Sequence, residues 1–285
     1  MPVINTNKAA NSALRYVNIS SAQQSKFLQQ LSSGLRVNKA SDDAAALSIG
    51  TRVKADSIAL GQSAINAQNV QAVLSTAEGG LFRISEVLSR LKAVTTAAQS
   101  GILGTAEFTN LNKEYQALFL EVTAIAQQTK FNGVSVLDGA GAAGTFSNVG
   151  GANVVLGTVS GDLINVTISG AGAGNNATAT GLALANTAIT TAAIAATNQG
   201  LVDTAINTTA GFLASVGAAS ARVGFRSDQI NVSKENADAA VSSLLEADVA
   251  KSQTDYTSAD VLSQDRKSTR LNSSHLDLSR LPSSA

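Results

Sequence analysis

From Ala46 onward, apolar residues return at alternating intervals of three and four. Positions 46, 49, 53, 56, 60, 63, 67, 70, 74, 77, 81, 84, 88 and 91 are all apolar except Asp56 and Ser63. The same spacing recurs at Phe212, Val216, Ala219, Val223, Ile230, Ala237, Ala240 and Leu244, interrupted by Arg226 and Ser233. Two shorter stretches repeat it: Ala10, Leu14, Val17, Ser21, Gln24, Leu28 and Leu31, then Phe108, Leu111, Tyr115, Leu118, Val122 and Ile125. One narrow apolar seam sustained over this length belongs to helices that lie beside other helices. Between 131 and about 181 the periodicity disappears and Gly, Ala, Asn and Thr dominate. There Val154-Val155-Leu156 and the run 163–168 read as short strands between glycine turns. The pattern predicts a mostly α fold: an elongated antiparallel helical bundle or coiled-coil rod, both chain ends at one end, with a small β-hairpin region.

Local signals place the boundaries. Gly34 fits the left-handed position after a helix C-terminus, and Ser41 is a candidate N-cap with Asp42 and Asp43 in the first turn, where the helix dipole favours acids. The second helix is expected from about 43 to 100, with Gly79-Gly80 inside it as a weak point or a close helix approach. Gly101 and Gly104 end that segment. Thr105 is expected to cap a third helix reaching near Lys130. Helical character resumes near Leu182 and continues to about Val261, with a break expected at Gly200 or Gly211. Prolines occur only at Pro2 and Pro282.

Composition narrows the chemistry. The chain has no Cys, so disulfides, thiolate catalysis and Cys-based metal sites are excluded. His275 is the sole histidine, which argues against a Ser-His-Asp triad or a two-His zinc site. Gly150-Gly151 lacks the following Lys-Ser/Thr of a phosphate loop. No cofactor is implied, and no enzymatic role. The first acid is Asp42, preceded by Lys8, Arg15, Lys26, Arg36 and Lys39; these charges are too sparse, and lack aromatic interleaving, for a nucleic-acid surface, so they read as a solvated helix face. No run is long and apolar enough for membrane insertion. Nor does the N-terminus carry a cleaved secretory signal pattern.

The run 31–49, LSSGLRVNKASDDAAALSI, resembles the N-terminal signature of bacterial flagellins, carried by Leu31, Gly34, Arg36, Asn38, Asp42 and Asp43. Ile4-Asn5-Thr6-Asn7 is similar to the start of that family, 129–139 (TKFNGVSVLDG) to its helix-to-hairpin junction, and Glu246-Ala247-Asp248-Val249-Ala250 to the motif opening its last segment. The resemblance implies a secreted, extracellular subunit of the flagellar filament, a helical homopolymer serving swimming motility. Its implied partners are copies of itself, the flagellar export chaperone and secretion apparatus, and the hook-associated and cap proteins. The resemblance also divides the chain: 1–40, filament-core helix and linker; 41–130, N-terminal rod helices; 131–181, hairpin and Gly-rich insert; 182–250, C-terminal rod helix; 251–264, start of the C-terminal core segment. Assembly is expected through Ala10, Leu14, Val17, Leu28 and Leu31, with the other three seams packing inside the subunit. Members recognised by an innate immune receptor carry a patch that corresponds here to Arg90, Lys92 and Val94, with Ala93 in place of its acid. Two alternatives share these features: a hook–filament junction protein and a flagellin-like surface adhesin.

After Gln264 the resemblance stops. Residues 265–285 are rich in Ser and Arg, hold His275 and Pro282, and read as a translated adapter or vector end. Loss of the family's last helix would leave 5–33 without its partner and largely disordered.

Overall fold

The computed structural model describes residues 8–138, 152–158, 162–166, 177–184 and 187–278. Its elements are α1 (Lys8–Ser33), α2 (Ala44–Ala98), α3 (Thr105–Gln128), β1 (Lys130–Phe131), β2 (Val134–Ser135), β3 (Ala152–Val155), β4 (Leu163–Val166), α4 (Ala192–Leu245) and α5 (Val249–Leu278). They fall into two units, Met1–Asp56 with Glu235–Ala285, and Ser57–Lys234.

In the second unit the long seam forms as its spacing requires. Every seam position of α2 from Leu60 to Leu91 is buried, and Phe212, Val216, Ala219, Val223 and Ile230 of α4 are buried with them. Gln71 donates to Ser220 Oγ at 2.6 Å, and Gln99, just past the end of α2, donates to Gln199 of α4. The buried face of α3 is Tyr115, Phe119, Val122 and Ala126, rotated from the predicted set. The two sets share Tyr115 and Val122, and packing buries Phe119 and Ala126 while leaving Leu118 and Ile125 half-buried.

Several boundaries differ from expectation, each for a local reason. Asp43, not Ser41, caps α2, its Oδ1 accepting from Ala46 N–H at 2.9 Å. Gly104 holds the N-cap position of α3 and makes no side-chain cap bond; Thr105 is already helical. α4 starts at Ala192 rather than near Leu182, because 177–184 form tight turns, with Leu184 N–H donating to Ala179 O and Ala183 at φ +58°. It then runs unbroken through Gly200 and Gly211. Each glycine costs about 1 kcal/mol in a helix, but Val202, Ala205, Thr209 and Phe212 are buried around them. The break falls instead between Leu245 and Val249, where Asp248 Oδ1 accepts from Lys251 N–H at 3.0 Å and caps α5.

Strands β3 and β4 pair antiparallel, Val154 opposite Ile164. A second, shorter hairpin joins β1 to β2 through Asn132 (φ +50°) and Gly133 (φ +78°), the two positive values that a type I′ turn needs. Gly80 is buried, and a Cβ there would come within 2.6 Å of Thr129 Oγ1 and 2.8 Å of Leu137 Cδ1. The glycine pair therefore serves a close approach, made at Gly80 by the hairpin region.

In the first unit α1 packs on α5. This corrects the expectation that α1 lacks a partner: Ser252, Ala259 and Ser263 of α5 are buried, as are Val17 and Ser20 of α1. Gln24 donates to Asp260 Oδ1 at 2.7 Å, and Arg266 donates to Tyr16 O and Ser20 Oγ, its guanidinium 5.6 Å from the Tyr16 ring centroid. The helix continues through Gln264 to Leu278 because nothing in 265–278 breaks it; Pro282 comes later.

Candidate assembly interface

The motif residues build a joint between two chain corners. Gly34, at φ +70°, turns the chain out of α1. The following residues pair with the α4–α5 corner: Arg36 N–H donates to Leu245 O at 2.7 Å, Ala247 N–H donates to Gly34 O at 2.9 Å, and Leu35 and Glu246 form an antiparallel bridge. The Arg36 guanidinium donates to Leu244 O at 2.7 Å, satisfying a carbonyl at the C-terminus of α4 with a charge of the sign that end attracts. Asn38 Nδ2 donates to Leu35 O at 3.2 Å. Beneath the turn, Val37, Ala46 and Leu245 form a small apolar cluster.

Charges close the joint. Lys26 Nζ lies 3.0 Å from Asp42, and Arg36 lies 4.0 Å from Asp43. The hydrogen bond from Lys26 holds the Asp42 carboxyl below its ordinary value, with the Lys39 N–H, 3.2 Å from Oδ2, acting in the same direction.

The predicted assembly residues of α1 are divided by this arrangement. Val17 is buried and Leu31 half-buried, whereas Leu14 and Leu28 are 43% and 51% exposed. The side chain of Ala10 lies outside the described residues. Leu14 lines a shallow depression with Asn11, Asn18 and Ile19, and Leu28 lines another with Ser25 and Asn38. Sequence periodicity missed Ile19 and Tyr16, both exposed on this helix. The receptor-patch residues do not share one surface. Arg90 pairs with Glu114 at 2.5 Å, Lys92 with Asp203 at 2.7 Å, and Val94 is 3% exposed within the core. Among the described residues no group of three His, Cys, Asp or Glu side chains could hold a metal ion, and no helix is long and apolar enough to cross a membrane.

Comparison with known proteins adds to this geometry. A family model described as the bacterial flagellin N-terminal helical region matches residues 4–142, and one described as the bacterial flagellin C-terminal helical region matches 199–273. The C-terminal match moves the end of the resemblance from 264 to 273. The flagellin of Bacillus subtilis is 31% identical over 283 aligned residues, 92% of each chain. That of Clostridium tyrobutyricum is 36% identical over 137 residues, 48% of this chain and 36% of the other. The crystal structure of Bacillus cereus flagellin aligns with a TM-score of 0.49 at 26% identity, covering 58% of this chain and 88% of that one.

Proposed function

The chain belongs to the bacterial flagellins, and from that premise we infer that it is the structural subunit of a flagellar filament which polymerises through the open face of α1. The supporting observation is the division of α1 itself. One side is satisfied by α5, while Leu14, Ile19 and Leu28 remain exposed on the rest. Apolar residues left open on a helix already holding an intramolecular partner gain about 25 cal/mol per Å² only when another subunit covers them. The role is one of packing, with no catalytic step.

The finer partners follow from the same surfaces. Val261 and Leu262 of α5 are exposed, which suits an export chaperone that covers the C-terminal segment before assembly. The α1–α5 seam is rich in Ser and Gln, so it stores little burial energy and opens readily for passage, unfolded, through the secretion apparatus to the extracellular filament. Hook-associated and cap proteins would meet the same face at the filament ends. Residues 274–285, beyond the family match, are proposed to be foreign sequence; the native gene decides this, and an identical native reading ends the proposal.

The assembly face is tested with Leu14→Asp/Leu28→Asp. Exposed sites of this kind change monomer stability by only about 0.5 kcal/mol, so circular dichroism should match wild type. Polymerisation, followed by light scattering and negative-stain microscopy, should be lost. Filaments at wild-type concentration from the double variant would show that α1 is not the assembly face.

A further inference from the structure

The unit Ser57–Lys234 carries two surface features of opposite character. On α4, Phe225 is 76% exposed, flanked by exposed Arg222 and Arg226. Among the described residues neither arginine is paired with a carboxylate. Arg222 lies one turn before Phe225, so cation and ring share one helix face. Between α2 and α3 lies an open groove lined by Gly79, Gly80, Val87 and Ile125, together with Glu86 and Glu121. Its middle is bare: a Cβ on Gly79 would meet nothing within 4 Å. Arg83 also lines it, but Glu86 holds that charge at 2.9 Å, leaving Glu121 to make the groove net negative.

We infer that Phe225, carried between its two arginines, docks in the Gly79–Gly80 groove of a second copy of this chain. The inference rests on the filament reading and names a contact within it. The bare surface at Gly79, beside the apolar Val87 and Ile125, accepts a ring, and the net negative charge left by Glu121 receives the arginines. Aromatic and arginine side chains are the types that most often dominate protein interfaces, and opposite charges fix register and exclude wrong partners. The two patches differ and sit on one chain. Each copy therefore offers its ring to one neighbour and its groove to another, and such a contact propagates into a filament when its rotation does not close a ring.

The test is a charge-swap cycle on the full chain, read as the critical concentration for seeded polymerisation, with circular dichroism confirming each fold. Arg222→Glu/Arg226→Glu should raise it about tenfold or more, and Glu86→Arg/Glu121→Arg should do the same, since like charges then face each other. Both pairs in one chain restore complementarity in reverse and should return the value to within about threefold of wild type. Phe225→Ala should raise it without rescue by the swap. If wild type polymerises while either charge pair leaves the value unchanged, or the combined variant is not rescued, the contact is overturned and the filament reading stands. A change confined to export-chaperone binding would assign the patch to that partner and overturn it equally. Wild-type chains that never extend seeds would overturn the filament reading, and this contact with it.

Discussion

Gly79 and Gly80 are covalent neighbours in α2, yet a methyl group would be received differently at each. At Gly80 it would press on Thr129 and Leu137; at Gly79 it would enter open space, where alanine lowers the entropy cost of the helix. Gly80→Ala is therefore expected to lower stability by about 1–3 kcal/mol, and Gly79→Ala to raise it by about 0.5–1 kcal/mol. Urea denaturation of the two variants side by side measures this difference of sign. The doublet was visible in the sequence, but its asymmetry was not. Periodicity marks a helix interior without saying which glycine meets another segment. Caps show the same limit, because Ser41, Asp42 and Asp43 are all capable acceptors and the one chosen depends on where the linker turns. The Asn132-Gly133 turn was marked only through the resemblance of 129–139 to a helix-to-hairpin junction, although that pair is itself a strong hairpin signal.

Among the elements, α2 and the middle of α4 were legible because their seams are long and unambiguous. The face of α1 was not. Its residues are mostly small or polar, so several helical stripes can be drawn, and α5 selects the one containing Val17 and Ser20 over that containing Leu14 and Leu28. α5 itself was obscured because it buries Ser252 and Ser263 where apolar residues would have announced a partner. The joint at Arg36 is also a property of elements, as it ties the end of α4 to the exit of α1. Arg36→Ala removes the donor to Leu244 O while leaving the backbone pair intact, and should cost about 1–2 kcal/mol. Amide exchange should then quicken at 244–247 and not in the middle of α4; uniform change along the helix would mean the guanidinium has no local role.

For the whole molecule, the two units respond to opposite extremes of pH. Asp42, in the first unit, has a folded-state pKa below its ordinary 3.8, chiefly through the Lys26 hydrogen bond. Its contribution is present above 3.8 and is lost as pH falls through the lower folded value. Tyr115, in the second unit, is raised above 10.0 by burial, so its contribution is present below 10.0 and is lost as pH rises through the higher folded value. Acid should therefore first disturb the Lys26–Asp42 joint and alkali the helices around Tyr115, as resolved by residue-level NMR titration. Asp42→Asn should remove the acid step, and Tyr115→Phe the alkaline one. The long buried seams have a thermal consequence as well. At Ala67, Ala77, Ala98, Ala195, Ala205 and Ala219 they are closed by single methyl groups, and heat capacity follows exposed apolar area at about 0.45 cal/K/mol per Å². Calorimetry should give an unfolding heat capacity below about 12 cal/mol/K per residue, the low end for globular proteins. A subunit of this kind has a shallow stability curve, and its strength changes little between a cold medium and a warm one.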